Sequence, residues 1–261
     1  MDYALVLLVG LFGGTLGGIV GTGSSIVLMP VLVGAWGPVE AVPVMAIAAF
    51  MGNFGRVVAW RREVDWRIAG AFCLTALPAA VLGVRTLLTV PASWVEVALG
   101  FFFLAMVPAR RWLKHRGLRV SWVGVMLIGA PLGFLTGIVV STGPLKVPLF
   151  TAYGLERGGL LGTEALASLA VYATKLFTFA SMDALPAAVV LKGLIAGAAL
   201  MCGAFLGKHV VLRLSPHAFG VIVDALMVVS GLVLLALAYQ DLAFVSVFGA
   251  AADLAAALAF S

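Results

Sequence analysis

The chain has 261 residues, 63% of them hydrophobic and only 10% charged, with a mean hydropathy of +1.18; this balance excludes a soluble globular domain and defines an integral membrane protein. The 16 Lys and Arg exceed the 11 Asp and Glu without forming a basic stripe interleaved with aromatics, so a nucleic-acid partner is excluded as well. A modest cationic excess held in short loops is the usual mark of a cytoplasmic membrane face.

In chain order, the first apolar stretch runs from about 3 to 34 and is interrupted by Gly21-Thr22-Gly23-Ser24-Ser25, with Pro30 after it. The residues before it, Met1-Asp2-Tyr3-Ala4, lack the cationic region of a cleaved signal peptide, so this stretch is expected to remain in the mature protein. Fully helical it would be roughly 45 to 50 Å long against a hydrocarbon core of about 30 Å, which predicts a break inside the membrane. Apolar runs follow at about 38 to 60, 67 to 88 and 92 to 109, each long enough to cross a bilayer. Arg110, Arg111, Lys114, His115, Arg116 and Arg119 then predict a cytoplasmic basic loop over 110–119. A second interrupted stretch covers 120 to 153, carrying Ser141-Thr142-Gly143-Pro144 and Pro148, and further apolar runs occupy about 157 to 180, 185 to 207 and 217 to 238. An alanine-rich tail, 241–261, contains Asp253 and reads as a packed or peripheral segment rather than a span.

The pattern repeats. At an offset near 119, Gly14 and Gly18 meet Gly133 and Gly137, Ala48 meets Ala167 and Arg56 meets Lys175; Asp65, Gly83 and Pro91 fall near Asp183, Gly207 and Pro216. The expected fold is therefore all-α and polytopic, with homologous membrane repeats at 1–109 and 120–240, each holding one broken or re-entrant segment plus about three spanning helices. If each broken segment crosses once the repeats are parallel; if it folds back as a hairpin they are inverted. Charge favours inversion, which gathers Arg61, Arg62, Arg67, the 110–119 cluster, Arg157, Lys208 and Arg213 on the cytoplasmic side and leaves Arg85 and Lys192 outside.

Cations within apolar runs are costly and normally face a cavity or a partner. The candidates singled out are Arg56 beside Asn53, Lys175 beside Thr174, and Lys146 inside the second break. For Arg56 the competing reading is snorkelling to the surface near Arg61 and Arg62; for Lys146 it is a structural bond to carbonyls freed at the break. Together with Gly21, Thr22, Gly23, Ser24, Ser141, Thr142 and Gly143, these residues form the expected binding site, because half-helix N-termini, hydroxyls and ammonium groups suit a compact anion. Glu96, Glu164 and Asp224 also lie in apolar runs, where each can relay a proton or pair with a lysine, whereas Glu63, Asp65, Glu156 and Asp183 sit in turns. The GxxxG spacings at Gly14/Gly18, Gly133/Gly137, Gly193/Gly197 and Gly203/Gly207 are read as helix-packing faces. Cys73 and Cys202 are isolated packing residues, and His115, His209 and His217 are too scattered for a metal site, so neither metal nor cofactor is expected.

The sequence resembles the sulfite exporter TauE/SafE permeases, in which each half opens with a small-residue run ending in glycine and serine, followed by proline. Here the copies are Gly14 to Ser24 with Pro30, and Gly133 to Gly143 with Pro148. The polar turn Arg61-Arg62-Glu63-Val64-Asp65-Trp66 and the proline-opened last helix of each half, at Pro91 and Pro216, extend the likeness over about 8 to 238. The chain departs from the family pattern at Ser24-Ser25, where a further glycine is common, and at Lys146, which stands in the second break where the pattern has no fixed lysine. The resemblance implies secondary transport of a small sulfur-containing anion, sulfite or an organosulfonate, across the bacterial inner membrane without an ATPase. The expected partners are that anion, the lipid bilayer, a coupling proton or other ion, and further copies of the chain in a homo-oligomer. Two alternatives stand beside this reading: a transporter of another small anion, a cation or a neutral solute, the cationic form of which would want carboxylates at the breaks; and an intramembrane enzyme, for which no GxSxG, HExxH or paired intramembrane Asp is present.

Overall fold

The computed structural model describes residues 2–20, 24–90, 92–115, 119–138 and 142–210, together with the helical positions 221, 224, 225, 228, 229, 231, 232, 235, 236 and 239. The fold is all-helical, and the elements are α1 (Asp2–Val20), α2 (Ser24–Trp60), α3 (Trp66–Thr89), α4 (Ala92–His115), α5 (Trp122–Ile138), α6 (Gly143–Tyr153), α7 (Arg157–Ser181) and α8 (Ala187–Val210). Among the described residues, four stretches are long and apolar enough to cross a membrane: Val39–Trp60, Trp66–Thr89, Gly158–Ser181 and Ala187–Gly207. The sequence of the 110–119 stretch reads as a loop, but α4 continues to His115, since Arg and Lys are good helix formers once the apolar run has ended. Gly21, Thr22, Gly23, Ser141, Arg116, Arg213, Pro216 and the 241–261 tail lie outside the described residues.

Local chemistry explains the punctuation. Gly37 takes φ 74 inside α2, a conformation that only glycine adopts readily, and splits that helix into the arms Ser24–Gly37 and Val39–Trp60. Gly154 at φ 114 closes α6 as a left-handed cap. Asp65 caps α3 by accepting the Ile68 N–H at 3.1 Å, while its own N–H donates to Thr163 of α7 at 2.9 Å.

The first broken segment folds back on itself. Tyr3 meets Trp36 with ring centroids 5.6 Å apart, Gly13 faces Val27, and Gly17 faces Ser24, so α1 and the first arm of α2 run antiparallel. The second segment does the same: the Val120 N–H bonds the Ala152 carbonyl at 3.0 Å, and the hydroxyls of Thr136 and Thr142 meet at 2.6 Å.

Glycine contacts fix the remaining directions. α1 lies parallel to α8, with Gly10 against Ala199, Gly14 against Leu200 and Gly18 against Ala204. α5 lies parallel to α3, with Gly129 against Phe72, Gly133 against Ala76 and Gly137 against Ala80. A side chain on Gly14 would come within 2.3 Å of the Leu200 carbonyl oxygen, and one on Gly133 within 2.2 Å of that of Ala76. These glycines permit backbone-to-backbone packing, the means by which apolar helices associate in lipid. The second arm of α2 runs parallel to α8, through Ile47 on Gly193 and Met51 on Gly197, and antiparallel to α7, through Trp60 on Gly162 and Arg56 on Glu164.

The two hairpins consequently enter from opposite ends of the bundle. At one end stand Arg61, Arg62, Arg67 and Arg119, with the Arg67 guanidinium 5.9 Å from the Trp122 ring centroid. The other end holds Arg85 and a group in which Lys192 pairs with Glu40 and lies 4.9 Å from the Trp36 ring centroid. The core is built of Met29, Leu32, Met45, Phe179 and Leu200 around α2, and of Phe72, Val125, Phe150 and Val171 around α3. Leu8, Phe12, Phe54, Leu74, Leu127, Phe177 and Leu191 face outward, an apolar exterior suited to hydrocarbon.

Candidate functional site

Where α2, α6 and α7 meet, the interior is charged. Arg56 is 8% exposed and Lys146, Glu164 and Lys175 are each 1% exposed, so all four are closed off from solvent and from lipid. Arg56 does not snorkel toward Arg61 and Arg62. It projects from α2 toward α7, where its Nη1 lies 2.9 Å from Glu164 Oε2, and its Nη2 donates to Asn53 Oδ1 one turn earlier. Asn53 is anchored in turn by donating to the Ala49 carbonyl at 2.7 Å.

Lys146 approaches the same carboxylate from α6. Its Nζ lies 3.2 Å from Glu164 Oε1 and donates to Ser168 Oγ, while the Ser168 hydroxyl donates to Glu164 Oε1 at 2.6 Å. Glu164 and Ser168, four residues apart on a helix, project from the same face. Two basic side chains therefore share one carboxylate, so that with both protonated this centre has an excess of positive charge in an interior of low dielectric, where charge is only weakly screened.

A second group adjoins it through the first turn of α6. Thr142 caps that turn: its carbonyl accepts from Leu145 N–H at 2.9 Å and Lys146 N–H at 3.0 Å. Its hydroxyl meets that of Thr136, whose backbone carbonyl accepts from Lys175 Nζ at 2.9 Å. Lys175 thus ties α7 to a carbonyl in the last turn of α5, beside the break, and its Nζ stands 5.7 Å from the Phe179 ring centroid. The competing reading of Lys146, a bond to freed backbone, describes Lys175 instead; Lys146 is held by side chains.

The structure thus brings Asn53, Arg56 and Lys146 to the Glu164 centre, with Thr142 and Gly143 in the adjoining first turn of α6, and puts Lys175 about three turns along α7 on the Thr136 carbonyl. Of the other expected site residues, Thr174 bonds the Ala170 carbonyl of its own helix through its hydroxyl at 3.0 Å, and Ser24 lies against Gly13 and Gly17 in the first hairpin. Gly21, Thr22, Gly23 and Ser141 fall outside the described residues, as does the side chain of Glu96. Asp224 is buried at 8% exposure. Sequence reasoning left Ser168 and Thr136 out of the site and named Glu164 only as one of three acids in apolar runs. The usable signal was Glu164-x-x-x-Ser168 on a single helix together with the cation-bearing Lys175.

A separate cavity of about 150 Å³ lies between α5 and α6, lined by apolar residues including Leu132, Leu145, Pro148 and Leu149. None of the cations lines it, so it offers nothing to an anion. Among the described residues no three His, Cys, Asp or Glu gather as a metal site.

Apolar spanning helices, hairpins entering from both ends and a sealed charged centre define an integral membrane protein. Residues 6–234 match the model of the sulfite exporter TauE/SafE family, and the chain belongs to that family. It is similar to the probable membrane transporter protein YjnA of Bacillus subtilis (strain 168), with 26% identity over 256 residues, covering 88% of this chain and 98% of the relative. No solved structure matches the chain. The family and this relative make the protein a membrane transporter.

Proposed function

We propose that this transporter is a secondary permease for a small sulfur-containing anion, sulfite or an organosulfonate, bound near the midplane between the broken segments at the centre formed by Arg56, Lys146 and the first turn of α6. The observation that carries this reading is the sharing of one carboxylate by two buried cations. Burying a second cation without a second carboxylate is expensive, and an anionic passenger supplies the missing countercharge. The N-terminus of α6 adds positive potential on the same side, and the name of the family supports the choice of a sulfur oxyanion.

The contacts also support inverted repeats. Gly14 and Gly18 pack on α8 as Gly133 and Gly137 pack on α3, and the helices of the two sets run in opposite directions. By the positive-inside tendency, the end bearing Arg61, Arg62, Arg67 and Arg119 is cytoplasmic, in keeping with a bacterial inner membrane. Alternating exposure then follows from one part of the bundle rocking against the rest around the centre.

The test is a thermal-shift and binding screen of purified protein against sulfite, thiosulfate, sulfoacetate, taurine and acetate, repeated with Lys146→Met. Stabilisation by sulfur oxyanions that disappears in the variant is the expected result. Selective stabilisation by a cation or a neutral solute would overturn the reading.

A further inference from the structure

Glu164 answers both cations of the centre at once. Its contact with Arg56 is short but out of hydrogen-bonding alignment, so Arg56 Nη1 and Glu164 Oε2 are each buried without a hydrogen bond. A guanidinium N–H sealed from water and poorly matched to its acceptor is better satisfied by an oxyanion free to align with it. An oxyanion bridging Arg56 and Lys146 would occupy the place that the carboxylate now fills.

We propose that Glu164 is a built-in counter-anion that gives way to the transported anion and takes up a proton as it does so. The inference rests on the anion reading above. Once displaced, the carboxylate keeps Ser168 beside it but loses its cations, and an ionised carboxylate buried in that state is strongly disfavoured. A proton from bulk hydronium then forms an O–H bond at Oε2, leaving water behind. Arg56, Lys146 and ionised Glu164 sum to one positive charge; the same cations with a bound monoanion and protonated Glu164 also sum to one. One proton thus enters with each monoanion, and loss of that proton returns the carboxylate to the cations and expels the anion. Because coupling between two ligands is reciprocal, a pH gradient becomes a force on the anion.

The charged and titratable groups around Glu164 are Arg56 from α2, Lys146 from α6 and, beside Lys146, Cys73 from α3. Ser168 faces it from its own helix, and Lys175, about three turns further along α7, bonds Thr136 instead. Arg56 stays protonated at any workable pH and a neutral thiol has no place for a further proton, so the alternative proton acceptor is Lys146, with Cys73 as the control.

The experiment titrates the purified, detergent-solubilised protein with methanesulfonate and with thiosulfate, neither of which takes up a proton near neutral pH, in weak buffer with a pH-sensitive dye. Proton uptake approaching one per anion is expected, with affinity rising up to about tenfold per unit of acidification. Glu164→Gln should bind anion independently of pH, without proton uptake, and should fail to accumulate it in proteoliposomes under an imposed pH gradient. Cys73→Ala should retain the uptake, and Lys146→Arg, compared per anion actually bound, should still take up a proton; the two decide the matter if Glu164→Gln does not fold. Anion binding without proton uptake, uptake that persists in Glu164→Gln, or anion that still binds Lys146→Arg or Cys73→Ala with no proton taken up overturns this inference alone. If neither probe binds at any pH, the anion reading falls and takes the inference with it.

Discussion

Lys175 on α7 donates to the backbone carbonyl of Thr136 on α5 at 2.9 Å. The last carbonyls of a helix have no partner within it, and a cation there also meets the negative end of the helix dipole. Lys175 therefore holds the edge of the second break in place from a neighbouring helix. Lys175→Met is expected to lower stability by about 1.5 to 3 kcal/mol, the range for a hydrogen bond to a charged group, and to reduce anion uptake. Lys175→Gln, which keeps a donor, should recover part of the stability and none of the lost uptake. Thermal melts alongside proteoliposome transport separate the two effects; unchanged uptake in both variants would remove Lys175 from the site.

The shared carboxylate predicts a ranking. Glu164→Ala strands two buried cations, whereas Arg56→Ala leaves Glu164 paired with Lys146. The first should cost about 3 to 5 kcal/mol, the range for breaking a buried pair, and the second distinctly less. Denaturation of the two variants in matched detergent checks the order, and the reverse order would mean that Lys146 does not rely on Glu164.

Glycine positions divide by what surrounds them. A methyl group on Gly133 would lie 2.2 Å from the Ala76 carbonyl oxygen, whereas one on Gly70, also helical, meets nothing within 4 Å. Gly133→Ala should separate α5 from α3 and lower the melting temperature by several degrees, because backbone cannot yield as a flexible side chain does. Gly70→Ala should be neutral or stabilising by up to about 1 kcal/mol through helix propensity. Equal effects at the two sites would contradict the packing described.

The hairpins make a topological prediction. In a Cys73→Ser/Cys202→Ser background, Tyr3→Cys and Met182→Cys should react with an impermeant thiol reagent from one side of the membrane, and Arg62→Cys and Glu156→Cys from the other. A single crossing by α1 and the first arm of α2 would instead put position 3 on the same side as position 62. Labelling of intact cells against inverted vesicles distinguishes these outcomes.

The helices and their breaks were legible in the sequence because both are local: apolar length sets the spans, and glycine, threonine and proline mark the interruptions. The packing role of Gly14, Gly18, Gly133 and Gly137 was legible for the same reason, as a small residue on every fourth position has few uses in lipid. Arg56 and Lys146 stood out as charges in apolar runs. Their partner did not, because pairing Arg56 with Glu164 depends on α2 and α7 running antiparallel at one register, which no local pattern encodes. Lys175 was found for its charge, but its bond to a backbone carbonyl leaves no trace in side-chain identity. Ser168 and Thr136 are ordinary residues in membrane helices and acquire meaning only from their neighbours.

The glycine seams set how the bundle can rearrange. Where main chain rests directly on main chain, as in α1 against α8 and α3 against α5, no intervening side chains can change rotamer to allow sliding, so each pair must travel as a single strut. Between α2 and α7, by contrast, Arg56 and Glu164 meet through side chains, which can change rotamer. On the anion reading, a passenger that displaces Glu164 would loosen this contact, and the struts would then be expected to tilt about it.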